Sequence, residues 1–263
     1  MKIPRTERRL RPLPIRSLAP NILTLLALSA GMTSIRMALD GRWELSAIAI
    51  MLAAIFDALD GSLARALKGA TRFGAELDSL SDVVSFGVAP AVLLYTWSLK
   101  DLGGLGWALA LLFTVCCALR LARFNITHDA ADRPDWAVHY YQGTPAPASA
   151  GLIMIPLFVE FQLENGVFRS PLIGGALIAL VSFLMVSRIP TYSFKRLGVR
   201  RDYVLPTLVG VGLFAAFLSS YLWATVMTIG VMYLASIPFS ASDYRRNQAT
   251  AARANLSDSP KSP

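Results

Sequence analysis

Apolar runs of about 17 to 23 residues recur along the chain, near positions 21–39, 45–66, 75–97, 104–124, 146–162, 171–187, 203–219 and 221–238. Short polar or basic stretches separate them. A bilayer core is crossed by roughly 20 apolar helical residues, so the pattern predicts about eight spans and an all-α, polytopic transmembrane helical bundle. The runs near 146–162 and 203–219 are short and would need a thin region or help from their flanks. No stretch alternates with the period of a half-buried strand and no internal repeat stands out.

Four aspartates interrupt the second and third runs: Asp57, Asp60, Asp78 and Asp82. A carboxylate at mid-membrane costs about 2.5 to 3.5 kcal/mol on insertion scales, so four unpaired ones would cost roughly 10 to 14 kcal/mol, comparable to a whole domain's stability. They must face a wet cavity, cations, or both. At about 100° per residue, Asp57, Asp60, Gly61 and Ala64 share one helix face with Arg65 at its edge. Gly74, Asp78, Ser81, Ser85 and Ala89 share a face of the next helix. The turn between them is short and basic (Lys68, Gly69, Arg72), which makes the helices adjacent and antiparallel, so the two acidic stripes can converge. Crowded oxygen ligands suit two hard divalent ions such as Mg²⁺ or Mn²⁺, whose charge would balance the four carboxylates.

The spacing Asp57-x2-Asp60-Gly61-x2-Ala64-Arg65-x8-Gly74-x3-Asp78-x3-Asp82 resembles, at every fixed position, the signature of the CDP-alcohol phosphatidyltransferases. The resemblance implies that an alcohol hydroxyl attacks the lipid-side phosphorus of a CDP-activated lipid and that CMP leaves. It further implies that Asp57, Asp60 and Asp78 ligate metal, and that Asp82 both ligates metal and serves as, or near, the general base. Gly61 and Ala64 would let the nucleotide lie against the helix, and Arg65 would present a forked donor to phosphate oxygens. Gly74 and Asn21, the latter in the Pro20-Asn21-Ile22-Leu23-Thr24 opening of the first run, join this CDP-lipid-binding set. Each has a plainer alternative: a snorkelling arginine at 65, a packing glycine at 74, and a helix cap at Asn21.

Three further stretches, Ala118–Asn125, Gln142–Gly151 and Met185–Lys195, are similar to the membrane-integral phosphatidylserine synthases of bacteria and archaea. Thr144 departs from the Gly-Leu-Pro-x-Pro more usual there, while Pro145 and Pro147 remain. The resemblance implies L-serine as the acceptor beside CDP-diacylglycerol, with Arg123, Asn125, Arg188 and Lys195 as acceptor-binding candidates. Arg120 would join Arg123, Arg188 and Lys195 around the cavity mouth. Glycerol 3-phosphate, inositol phosphate or choline remain rival acceptors. Intramembrane acids alone would also suit a metal-ion or metabolite transporter, but a transporter needs no phosphate-facing arginine at the offset of Arg65.

Composition agrees with this reading and adds orientation. The chain of 263 residues is 54% hydrophobic and 16% charged, with a mean hydropathy of +0.50 and a net charge of +8. The basic residues sit in loops between apolar runs, where they set topology and meet anionic lipid, so nucleic acid is not an expected partner. With the amino terminus inside, 21 of the 25 Lys and Arg residues lie on the inner side and only Arg36, Arg42, Lys100 and Arg169 outside. That puts both termini and the acidic helix ends in the cytosol, and the resemblance implies the cell membrane of a bacterium or archaeon. Residues 1–20 are read as a basic juxtamembrane segment that is not a removable signal peptide, 21–240 as the transmembrane catalytic domain, and 241–263 as a disordered cytoplasmic tail. Cys116 and Cys117 are expected in packing roles, and His128 and His139 in solvated loop positions. A homodimer is left open as the oligomeric state.

Overall fold

The computed structural model describes residues 15–67, 71–128, 140–187, 189–192 and 204–257. The helices are α1 (Ile15–Leu39), α2 (Trp43–Ala66), α3 (Arg72–Asp82), α4 (Ala89–Trp97), α5 (Gly104–His128), α6 (Ala146–Ile153), α7 (Ile155–Leu163), α8 (Pro171–Val186), α9 (Val204–Ser220) and α10 (Leu222–Ser257). Among the described residues, six helical segments are long and apolar enough to cross a bilayer: Leu18–Leu39, Trp43–Ala66, Arg72–Trp97, Gly104–Ile126, Ala146–Leu163 and Leu222–Tyr244. The chain is an all-α membrane-integral bundle. The remaining two of the eight expected spans, α8 and α9, have 16 and 17 residues. At 1.5 Å per residue they are about 24 to 26 Å long, short of the roughly 30 Å hydrocarbon core.

Several boundaries differ from the sequence reading, each for a local reason. The first helix starts at Ile15 and carries Pro20 inside it, so Asn21 is a helix-interior residue and not a cap. The run at 146–162 is broken at Met154, two residues before Pro156, into α6 and α7. The segment expected to be a disordered tail continues α10 as helix to Ser257; Gln-Ala-Thr-Ala-Ala-Arg-Ala is rich in strong helix formers and holds neither glycine nor proline. A two-stranded antiparallel sheet, β1 (Tyr140–Gln142) and β2 (Pro190–Tyr192), pairs Tyr140 with Tyr192 and Gln142 with Pro190. Three-residue strands are too short to leave a periodic signal.

The third span is where helix geometry bears most directly on the site. α3 opens with Thr71 as its cap, the hydroxyl accepting from the Gly74 N–H at 3.0 Å. A π-helical turn, Val83–Val88, then joins α3 to α4, and the Ala89 N–H reaches back five residues to the Val84 carbonyl. Pro90 supplies a reason: it has no N–H for the Phe86 carbonyl, and its ring would crowd that carbonyl in a regular helix, a conflict that the wider turn relieves.

α1 lies along α2, pinned by the buried pair Ser34 and Ser46 at 2.9 Å. It also touches α3 and the π turn, where a Cβ on Gly31 would stand 2.8 Å from the Ser85 Cα. The largest fully buried side chains, among them Phe86, Leu93, Leu94, Leu99, Phe113, Phe158 and Ile178, form a core shared by the π turn, α4, the short turn Leu99–Leu102, α5, α7 and α8. Trp223 of α10 stacks on Phe158 at 5.6 Å and packs on Phe161 at 4.8 Å. The many exposed leucine, isoleucine and phenylalanine side chains are what lipid-facing helix surfaces require, since lipid tails are as apolar as leucine. Gly143 holds the link between β1 and α6 at φ +75°, and a Cβ there would lie 2.6 Å from the Met185 carbonyl oxygen. Only glycine meets both demands.

Candidate metal and substrate site

The acidic stripes converge as their spacing requires. One carboxylate oxygen from each of Asp57, Asp60 and Asp78 lies within 4.8 Å of the others. Two oxygens on opposite sides of a Mg²⁺ are about 4.2 Å apart, so small side-chain rotations suffice to close this all-oxygen triad on a hard divalent cation. The donor set fits a metal. Asp60 is buried at 4% exposure, whereas Asp57, Asp78 and Asp82 are half-buried. Asp82 stands outside the triad, its carboxyl within hydrogen-bonding reach of Asp57 and with the Arg120 guanidinium close enough to act on its charge. Arg120 is itself buried and lies over the Phe124 ring, 5.8 Å from its centroid.

The Pro-Asn-Ile-Leu-Thr stretch of α1 lies against both acidic helices. The Thr24 hydroxyl donates to Asp60 Oδ2 at 2.6 Å and approaches the Pro20 carbonyl at 3.1 Å. The Thr24 carbonyl accepts from Ser81 Oγ at 3.2 Å, and the Ala27 carbonyl from Ser85 Oγ at 3.1 Å. Ser81 and Ser85, expected on the acidic face, therefore turn their hydroxyls to the backbone of α1. The Asn21 side chain rests on the start of α3, where a Cβ on Gly74 would come within 2.8 Å of its Oδ1. Gly74 thus has a packing reason to be glycine.

Gly61 has none. A Cβ there would meet only Arg65 Nη1, at an ordinary 3.5 Å, yet a glycine inside a helix costs about 1 kcal/mol relative to alanine. The open space beside it is what a ligand lying on α2 would use. Ala64 is half-buried on the same helix, and the exposed Arg65 guanidinium bonds to Ser62 Oγ at 3.2 Å, leaving most of its donors directed outward.

The acceptor candidates separate. Arg123 Nη1 and Nη2 donate to the Val186 and Ser187 carbonyls at 2.8 and 3.2 Å, bracing the carboxyl end of α8, where cations are favoured. Asn125 Nδ2 donates to Ser79 Oγ at 2.9 Å, tying α5 to α3 one residue from Asp78. Arg188 and Lys195 lie outside the described residues, as does His139. Thr24, Ser79 and Arg120 carry more of the architecture than sequence reasoning assigned them. Thr24 had one available signal, a hydroxyl in the first apolar run four residues after its proline.

The protein-family comparison matches residues 17–187 to the model described as CDP-alcohol phosphatidyltransferase, and residues 202–238 to CDP-alcohol phosphatidyltransferase 2. Among curated relatives, a CDP-diacylglycerol–serine O-phosphatidyltransferase of Mycobacterium leprae is 38% identical over 230 residues, covering 86% of this chain and 75% of that protein. A protein of the same name from Mycobacterium tuberculosis is 36% identical over 228 residues, covering 86% and 79%. The archaetidylserine synthase of Methanothermobacter thermautotrophicus is 35% identical over 175 residues, covering 65% and 67%.

Proposed function

Since the chain belongs to the CDP-alcohol phosphatidyltransferase family, we propose that it transfers the phosphatidyl group of CDP-diacylglycerol to L-serine, giving phosphatidylserine and CMP. The observation that carries this reading is the convergence of Asp57, Asp60 and Asp78 beside Asp82 at one end of the bundle. The names of the bacterial and archaeal relatives support serine as the acceptor.

In this mechanism Asp57, Asp60 and Asp78, with Asp82 beside them, would hold divalent cations, Mg²⁺ or Mn²⁺, two of which would balance the four carboxylates. Bound there, such ions would supply charge neutralisation for the pyrophosphate oxygens and for the departing CMP. Gly61 and Ala64 leave room for the nucleotide along α2, and Arg65 donates to phosphate oxygens. Asp82 accepts the serine hydroxyl proton as the oxygen bonds to the phosphorus that carries diacylglycerol, and the bond from that phosphorus to the bridging oxygen breaks to release CMP. Its position just outside the triad supports this division of roles. Arg120, near Asp82, places a positive charge beside the proton-accepting carboxylate. Arg123, which braces the end of α8, and Asn125, which ties α5 to α3, act on the serine side, and Arg188 and Lys195 supply further cationic charge for the serine carboxylate.

The test is CMP release by purified protein from CDP-diacylglycerol, with serine, glycerol 3-phosphate, inositol phosphate and choline compared side by side. Serine is expected to give the highest kcat/KM. Faster release with glycerol 3-phosphate would keep the family and overturn the acceptor, and no release with any alcohol would favour transport.

The site is further proposed to open to the cytosol, on the strength of the 21 to 4 partition of basic residues. In a background lacking Cys116 and Cys117, a cysteine at the exposed Asn165 is expected to react with an impermeant thiol reagent on intact cells, and one at the exposed Glu76 only after permeabilisation. The reverse pattern would invert the orientation.

A further inference from the structure

Asp60 is the most buried of the four aspartates, at 4% exposure, and its neighbour Thr24 is equally buried at 3%. Two acceptors compete for the single proton of the Thr24 hydroxyl. The back-bond to the Pro20 carbonyl at 3.1 Å is the usual habit of a helical threonine. The contact to Asp60 Oδ2 is shorter, at 2.6 Å, and its acceptor is a carboxylate, so it takes the proton. The same residue offers its carbonyl to Ser81 Oγ at 3.2 Å, so α1 is bound at one position to α2 through Asp60 and to α3 next to Asp82.

From this geometry we infer that Thr24 is a positioning residue for the metal site: its hydroxyl fixes the rotation of the Asp60 carboxylate so that the group meets Asp57 and Asp78 already oriented. The inference rests on reading the aspartate triad as a metal site and goes beyond it by assigning the orienting partner. A carboxylate free to turn in a buried pocket must be ordered each time a cation binds. One held by a hydrogen bond from outside the ligand set is ordered beforehand, and loss of such a partner typically weakens metal affinity by about 10- to 100-fold. The hydroxyl is therefore the part of Thr24 that matters, not its bulk.

The test uses the full chain in detergent or lipid discs, with Mn²⁺ alone as the probe and binding followed by the loss of the free-ion EPR signal. Thr24→Val keeps the shape and removes the hydroxyl; Thr24→Ser keeps the hydroxyl. Ser81→Ala cuts the carbonyl link but leaves the Thr24–Asp60 bond. Expected are a Mn²⁺ Kd raised by about 10- to 100-fold in Thr24→Val, a Kd near that of the unsubstituted protein in Thr24→Ser and Ser81→Ala, and metal-free thermal unfolding of Thr24→Ser unchanged. Activity of Thr24→Val should recover as Mn²⁺ is raised. Unaltered Mn²⁺ affinity in Thr24→Val overturns the inference while leaving the metal site standing. So does an equal loss in Thr24→Ser or Ser81→Ala, which would assign the effect to helix packing. Absence of Mn²⁺ binding by the unsubstituted protein removes the metal site itself and the inference with it. Should Thr24→Val not fold, Thr24→Ala takes its place as the variant without the hydroxyl: a Kd raised by about 10- to 100-fold supports the inference, and an unaltered Kd overturns it.

Discussion

Chelation of divalent cations is expected to abolish CMP release, and addition of Mg²⁺ or Mn²⁺ to restore it. Three carboxylates whose oxygens stand within 4.8 Å of one another would otherwise share that space with the two negative charges of a pyrophosphate, and only bound cations make the combination tolerable in a region of low dielectric. Metal charge stabilisation is worth several kcal/mol in the transition state, which corresponds to on the order of 10³-fold or more in rate. Asp57→Asn, Asp60→Asn and Asp78→Asn should each lower metal affinity and turnover together, because each removes a charged ligand and leaves a neutral one. Full turnover after exhaustive chelation, measured as CMP released from CDP-diacylglycerol and serine, would dismiss the metal reading altogether.

Asp82→Asn is expected to fail differently. Asp82 lies outside the triad, beside Asp57 and Arg120, so its loss should mainly remove the proton acceptor and lower kcat by about 10²- to 10⁴-fold. The KM for CDP-diacylglycerol should stay comparatively unchanged, a split that separates a transition-state contribution from substrate binding. If Asp82→Asn turned over at the normal rate with saturating metal, neither the base nor the ligand role could stand.

How far the site was legible follows from which contacts obey helical periodicity. Asp57, Asp60, Gly61 and Ala64 lie within two turns of one regular helix, so their shared face could be read directly from spacing. The extrapolation along the third span stopped being valid at the π turn, and before it Ser81 had already found a carbonyl of α1 in place of the cavity. Contacts between distant stretches left no periodic trace. Asn125 meets Ser79 across 46 positions, and Arg123 meets Val186 across 63; both were legible as polar residues near a helix end but not as ties between helices. Asn21 looked like a cap because Pro20 looked like a helix start, yet a proline is tolerated within a helix whose neighbours support it, and α1 begins one and a half turns earlier. The six longest spans were predictable because apolar length is a property of the segment alone. β1 and β2 were not, since each exists only by virtue of the other.

The π turn at Val83–Val88 divides one membrane span into two segments that answer to different constraints. α3 must aim Asp78 and Asp82 at α2, while α4 must set Leu93, Leu94 and Trp97 into the bundle core. In a single regular helix these two aims would be locked in phase, and any substitution that rotated one would rotate the other. The wider turn works as a phase coupling between them: the chemistry on its inner side and the anchoring on its outer side can each drift without dragging the other. A one-residue deletion inside it would turn one segment by about 100° against the other, so this short stretch should be the part of the span least able to change its length and the part that frees its two halves to change their sequence.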